Sequence, residues 1–500
     1  MSTNVLVFLT DDHAQWAAGC YGNSELRTPT LDHLANTGVR MDNAFTPTPV
    51  CSPGRACLMT GRTPSQHGIH DYLAEADPQV AATDWLRDET TLARLLHDRG
   101  YTTALSGKWH LGRPDRRAPG YDYWYSRAAP VPKPEGFDSP WPAPPAAGGG
   151  YDRHAITDHA VDFLRRRDSS RPFFLTVGYF GTHSPWTGHP ERLVSSYRDC
   201  HFGDIPPDAT HPLGRLRSES VYATRADPRE ALAQYYAAVT DIDEQVGRVI
   251  DELELQQLRE STLVIYTSDH GLNTGHHGIW GKGNGTLPYN MLEESIRVPL
   301  IVNHPGGVLG GQSRSELVSH CDTFLSVLDH IGIPQSDLDE SRNYPGASHA
   351  GLWLGKPEPG RFDRVFGEYG NLRMVRTRSH KLVRRYPDGP DELFDLVADP
   401  RETTNLYPDP GYGRLVESLT RSLTEYFDRH SDPVKSGLDV ARLPRHNSDE
   451  AWRDTGPHTL TAEATWIADL TRRQLAEDER DSQLPRPHGM ALKRCVRLLT

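Results

Sequence analysis

No stretch of this 500-residue sequence approaches the roughly 18 consecutive apolar residues of a membrane-spanning helix, so a helical membrane protein is excluded. The N-terminus offers only five apolar residues, Val5 to Leu9, before Asp11 and Asp12, with no basic segment ahead of them. No secretory signal is therefore expected, and the chain reads as cytoplasmic. Cysteine is scarce and scattered: Cys20, Cys51, Cys57, Cys200, Cys321 and Cys495 show no Cys-x-x-Cys or zinc-type spacing. That argues against a disulfide framework and for reduced thiols. Positive charge runs short as well, 54 Lys+Arg against 67 Asp+Glu for a net charge of −13. A phosphate backbone or an anionic lipid surface meets net repulsion, so neither nucleic acid nor membrane is an expected partner. An anionic substrate has to meet locally placed cations. No internal repeat is present.

What the sequence does hold is an alternation of two patterns. Apolar, β-branched runs at residues 4–9, 172–179, 262–267 and 298–302 read as buried strands. Between them lie helical patterns at 30–36 behind Pro29, 90–99 closed by Gly100, 154–167, and a long one from Asp227 to about residue 258 that opens with Asp-Pro as cap and first turn. Such alternation predicts an α/β fold, a large mostly parallel sheet sandwiched by helices. Residues 113–150 hold nine prolines and end in three glycines, a long irregular loop of the kind that is usually functional. Past Arg364 short alternating runs at 374–376, 381–385 and 392–396 predict a smaller C-terminal antiparallel sheet, with a helix at 412–430. The expected organisation is a catalytic domain over 1–364, a small α+β subdomain over 365–431, and a polar extension over 432–500 with a helix at 462–477. That tail would serve contacts in a homo-oligomer, although oligomeric state is left open.

In open α/β sheets ligands sit beyond the carboxyl ends of the strands. Two strands here end in acids, Asp11-Asp12 and Asp269-His270. Three carboxylates converging on one edge repel one another, and a hard divalent cation relieves that repulsion through oxygen ligands. Each pair alone reads equally as a helix cap or turn acid. Together they predict a metal cage of Asp11, Asp12 and Asp269, joined by His270 as ligand or as substrate hydrogen bonder.

The most specific local signal is Cys51-Ser52-Pro53-Gly54-Arg55 with Leu58 and Thr60-Gly61-Arg62. It resembles the sulfatase signature C-x-P-x-R followed by T-G-R. Further stations appear in order: TPTLDHLA at 28–35, Gly107-Lys108-Trp109-His110-Leu111-Gly112, Thr182-His183-Ser184-Pro185, Ser268-Asp269-His270-Gly271, His276-His277-Gly278 with Lys282, Glu294-Ser295 through Leu300, and a closing Glu392–Leu396 with Asp399 to Leu406. The resemblance runs over about residues 4 to 406.

That resemblance implies an alkaline-phosphatase-like fold and hydrolysis of a small-molecule sulfate monoester. It also implies oxidation of Cys51 to formylglycine by a formylglycine-generating enzyme, Cys51 then standing beside one divalent metal, with Ca²⁺ favoured over Mg²⁺ or Mn²⁺. Arg55 would steady the nucleophile, Lys108 and Lys282 would contact the sulfate oxygens, His110 would act as base in the elimination step, and His183 would protonate the leaving oxygen. Two positions depart from the common pattern: Gly54 stands where Ser or Ala is usual, and His270 where many relatives carry Asn. The latter keeps a phosphonate monoester or phosphodiester hydrolase open as the alternative activity. A metal-binding protein without turnover, in which Cys51 stays a thiol, is the rival of a different class. Cys51 is expected at a surface-facing helix start, and Trp85, Trp109, Trp124, Trp141 and Trp186 either form a sugar-stacking wall or pack the loops.

Overall fold

Strand β1 (Asn4–Thr10) is buried along its whole length, and its alternation sets up the layers. Val5, Val7 and Leu9 face one apolar cluster, Leu6 and Phe8 the other. The strands that follow in chain order are β2 (Val39–Phe45), β3 (Thr102–Gly107), β4 (Tyr123–Tyr125), β5 (Phe173–Gly178), β6 (Thr262–Ser268), the short β7 (Asn273–Thr274) and β8 (Trp280–Gly281), then β9 (Arg297–Val298), β10 (Leu300–Asn303) and β11 (Gln312–Ser319). Across the main sheet the order is β11, β2, β10, β6, β1, β5, β3, β4, with β9 beside β2. The pairs from β6 through β4 are parallel, whereas β10 runs antiparallel to both β6 and β2. The computed structural model describes residues 2–126, 153–184, 186, 188–206, 211, 227–448 and 450–453. The expected helix at 462–477, Trp141 and most of the proline-rich loop lie outside them.

Helices α1 (Pro29–Thr37), α2 (Cys51–Thr60), α3 (Leu92–His97), α4 (Arg153–Arg166), α5 (Pro228–Leu255), α6 (His320–His330) and α7 (Gly413–His430) divide between the faces. Leu31 and Leu34 of α1, Phe163 and Leu164 of α4, and Ile242, Val246 and Val249 of α5 cover the Leu6/Phe8 face. Met59 of α2, Leu96 of α3 and Phe324 of α6 cover the other. The Asp227 carboxylate caps α5 by accepting from Glu230 N–H at 3.0 Å. Among the described residues no helix is long and apolar enough to cross a membrane.

A second sheet, β12 (Arg364–Tyr369), β13 (Leu372–Thr377), β14 (His380–Arg385) and β15 (Glu392–Asp395), is antiparallel in that order. One face packs on Leu419, Leu423 and Phe427 of α7. The other presents Val365, Met374 and Val383 to Phe45, Met291 and Ile296 beneath the main sheet. A buried charge cluster reinforces this join: Lys381 of β14 lies 3.2 Å from Glu293 and 2.5 Å from Glu402, and Glu402 accepts the Glu293 N–H at 2.7 Å. Burial pushes the Glu402 carboxyl up to about 7. Both sheets belong to one compact unit that runs to Trp452.

The structure departs from the expected strands in two ways. The run at 298–302 is two strands, because Pro299 has no N–H to donate and the ladder breaks there. Strands β2, β3 and β11 carry Arg40, Asp42, Thr102, Thr103 and Ser313 among their apolar residues, so no apolar run marked them.

Candidate active site

Asp11 and Asp12 leave the carboxyl end of β1 directly beside Asp269 and His270 at the end of β6, since Thr10 pairs with Ser268. Lys108 follows β3, and His183 follows β5 by a turn. Cys51 is the first residue of α2. Lys282 comes just after β8. The parallel register thus gathers every residue singled out in the sequence at one sheet edge.

Cys51 stands at the convergence. Its Sγ lies 3.3 Å from Asp11 Oδ1, 3.1 Å from Lys282 Nζ and 3.3 Å from His270 Nε2. It is not surface-facing as expected: Cys51 is 2% exposed and all of α2 is buried. The helix is sunk between the sheet edge and α6, so its N-terminus opens into the site rather than to solvent. Burial alone would push the thiol up, yet Lys108, Lys282, His270 and His110 together hold it well below its ordinary value.

The cations are matched to the carboxylates. Lys108 Nζ pairs with Asp11 Oδ2, and Lys282 Nζ lies 2.6 Å from Asp12 Oδ1. Although burial disfavours both ammonium groups, the surrounding acids raise them above the usual lysine value. Arg55 reaches back one helical turn, to Asp269 Oδ2 at 2.8 Å and the carbonyls of Lys108 and Thr10 at 3.1 and 3.4 Å. It thereby ties α2 to the ends of β1, β3 and β6. Burial pushes Asp269 up to about 6, with Asp11 and Cys51 adding to it against His270 and Arg55. Asp11 is held below the carboxylate range: Lys108, His183 and Lys282 outweigh burial and Cys51.

The donor set fits a hard divalent cation. One ligand atom from each of Asp11, Asp12, Cys51 and His270 falls within 4.8 Å of the others. Asp269 stands at the edge of this group, 3.4 Å from His270 Nε2 through the oxygen that Arg55 leaves open. His270 Nδ1 lies 2.8 Å from the Gly271 carbonyl, which leaves Nε2 as the ring nitrogen facing the cluster. Among the protein's own groups, burial would lower the imidazole, but Asp269, Cys51 and Asp12 raise it above its ordinary value. A second group, His277, Glu294 and Glu402, also gathers donor atoms, but Lys381 already supplies its cation. Gly54 has a steric reason: a Cβ there would run into the Asp269 carbonyl oxygen. Asp12 and His110 adopt left-handed backbone, φ +60° and +58°, conformations that functional sites often hold.

The two histidines beside the cluster are oriented by the backbone. His110 Nε2 lies 3.0 Å from the Leu73 carbonyl, leaving Nδ1 as the bare nitrogen. His183 Nδ1 bonds the Ser184 carbonyl at 2.5 Å while Nε2 is 4.0 Å from Asp12. Burial would lower His183, but Asp12 and Asp11 raise it to about 9. Lys108, His110 and His183 line a cavity of about 230 Å³ together with Trp109, Phe180 and Glu75.

Other side chains stand around the acids. Tyr235, within the apolar stripe of α5, donates to the Asp12 carbonyl at 3.1 Å, and Thr182 donates to that of Asp11. Glu75 sits in a stretch with no motif. The tryptophans pack the loops: Trp109 meets Trp124 and Tyr121, Trp186 meets Trp280, and Trp85 meets His446.

The family model for sulfatases matches residues 3–333, and one described as N-sulphoglucosamine sulphohydrolase, C-terminal, matches residues 275–429. The N-acetylglucosamine-6-O-sulfatase of Bacteroides thetaiotaomicron is 26% identical over 502 residues, covering 86% of this chain and 87% of that protein. The uncharacterized sulfatase YidJ of Escherichia coli strain K12 is 30% identical, with 87% and 88% covered. A solved structure of a protein in complex with its substrate D-glucosamine-2-N,6-O-disulfate is 26% identical and covers 86% of this chain and 98% of its own, with a TM-score of 0.67. The gathered acid, lysine and cysteine side chains and these likenesses agree, and the chain belongs to the sulfatase family of sulfuric ester hydrolases.

Proposed function

We propose that this sulfatase cleaves a small sulfate monoester at Cys51, carried as formylglycine, beside a calcium ion held by Asp11, Asp12, Asp269 and His270. What supports this reading is above all the position of Cys51 Sγ, within 3.3 Å of an acid, a lysine and a histidine at once. Maturation by a formylglycine-generating enzyme is part of the same proposal. The cation supplies Lewis-acid charge, and the hydrated aldehyde supplies two hydroxyls on one carbon, one to attack sulfur and one to release sulfate.

The chain's own residues account for the rest. Lys108 and Lys282, buried and charged, bind sulfate oxygens as fixed positive charges where charge builds up in the transition state. His110, with Nε2–H committed to Leu73, takes a proton at Nδ1. His183, with Nδ1–H committed to Ser184, gives one from Nε2 to the departing oxygen. Arg55 keeps Asp269 ionised and the start of α2 in place. Calcium suits a set of carboxylate oxygens with a single imidazole. Parallel assays of an aryl sulfate and an aryl phosphonate monoester test the reading. A higher kcat/KM for the sulfate is expected, and a higher value for the phosphonate would replace sulfatase by the phosphonate activity.

A further inference from the structure

The sulfate end of the cavity is matched in charge, but its far wall is not. Glu75 lines the same cavity as Lys108, His110 and His183, and its carboxylate makes no hydrogen bond or ion pair with any described residue. The cations nearby have partners already: Lys108 is taken by Asp11, Arg55 by Asp269, and His183 lies beside Asp12. The neighbouring Asp115 is engaged by Arg113 at 2.5 Å and adds negative charge to the same region.

The segment that carries Glu75 is fixed. Leu73 N–H donates to Ser52 Oγ at 3.0 Å, the Leu73 carbonyl meets His110 Nε2 at 3.0 Å, and Ala74 N–H donates to the His446 carbonyl at 2.9 Å. Two residues from an anchor shared with α2 and with His110, the backbone of Glu75 is held beside the site. His110 does not hold it, since one ring nitrogen bonds Leu73 and the other is unpartnered. Burial raises the Glu75 carboxyl, and His110, Lys108 and Arg55 offset that only in part; a ligand cation in direct contact would lower the cost further.

Building on the sulfate-ester reading, we propose that the alcohol half of the substrate carries a positive charge, and that Glu75 binds its ammonium group while Lys108 and Lys282 bind the sulfate. The volume agrees, because about 230 Å³ is below the roughly 300–1,000 Å³ of sites for drug-sized ligands. A small zwitterionic amino-alcohol sulfate is of that size. Trp109 and Phe180 line the same wall, and the Phe180 ring already carries Lys108 Nζ 5.5 Å from its centroid. The same carboxylate repels an ester with a second anionic group.

The test compares kcat/KM for 2-aminoethyl sulfate with that for propyl sulfate, its neutral isostere, on one preparation, so that the fraction of active enzyme cancels. A charge-assisted hydrogen bond in a partly desolvated site predicts a preference for the ammonium ester on the order of 10-fold or more. Glu75→Gln should bring the ratio to near one, and Glu75→Lys should invert it. Wild type without that preference, or Glu75→Gln retaining it, overturns the proposal while leaving the sulfatase reading intact. Failure of wild type to turn over either ester or 4-nitrophenyl sulfate overturns both.

Discussion

Replacing Arg55 by Ala removes the cation from a carboxylate that has no access to water. Arg55 and Asp269 are 1% and 0% exposed and 2.8 Å apart, and the guanidinium also serves the carbonyls of Lys108 and Thr10. Breaking a buried pair on one side costs about 3–5 kcal/mol, because the remaining charge is left uncompensated. Asp269, already pushed up to about 6, would rise further without Arg55 and take a proton near neutral pH, weakening its hold on a cation. Arg55→Lys keeps the charge but loses the fork, so one or two carbonyls go unmet, at about 1–3 kcal/mol. Asp269→Asn in the Arg55→Ala background should cost less than the two changes summed, by about 0.5–3 kcal/mol. Denaturant unfolding midpoints of wild type, Arg55→Ala, Asp269→Asn, the double variant and Arg55→Lys at one fixed calcium concentration, with kcat/KM for an aryl sulfate alongside, give the cycle and its Lys control. Additive losses, or equal losses in Arg55→Ala and Arg55→Lys, would refute the pairing as the reason for Arg55.

Three further outcomes follow from the same geometry. Gly54→Ala forces a Cβ against the Asp269 carbonyl, so a destabilisation of about 1–3 kcal/mol is expected; an unchanged melting temperature would mean α2 shifts freely. Exhaustive chelation should abolish turnover, with Ca²⁺ or Mg²⁺ restoring it better than Zn²⁺; full activity in protein shown by elemental analysis to be metal-free would contradict the cage. His183→Ala should slow alkyl sulfates far more than nitrophenyl sulfate, whose leaving group departs unaided, and equal fractional losses for both would make His183 a sulfate ligand instead.

Much of the site was legible because its residues sit where chain chemistry changes abruptly. Asp11, Asp12, Asp269 and His270 interrupt apolar strands, and Cys51 through Arg55 falls within a dense local pattern. The central strands were legible because burial on both faces demands continuous apolar runs. Strands β2, β3 and β11 were not, since their polar residues are satisfied by neighbours that the sequence does not bring near. Thr103 of β3, for instance, donates to the Gly120 carbonyl at 2.7 Å, seventeen positions on. The burial of Cys51 was equally hidden, because it depends on α6 packing on α2 from residues more than two hundred positions away. Tyr235 and Glu75 carry no local signal: one is an aromatic in an apolar stripe and the other an acid in a loop, and only the assembled sheet edge gives them a role.

The central claim is that Cys51, as formylglycine, is the nucleophile, and peptide mass spectrometry of residue 51 tests it most directly. In a preparation made with a formylglycine-generating enzyme and shown to hydrolyse an aryl sulfate, the peptide should have the mass of an aldehyde in place of the thiol. It should react with a hydrazide reagent and escape alkylation by iodoacetamide, and Cys51→Ala should be inactive. A fully alkylatable thiol at residue 51 in an equally active preparation would contradict the account.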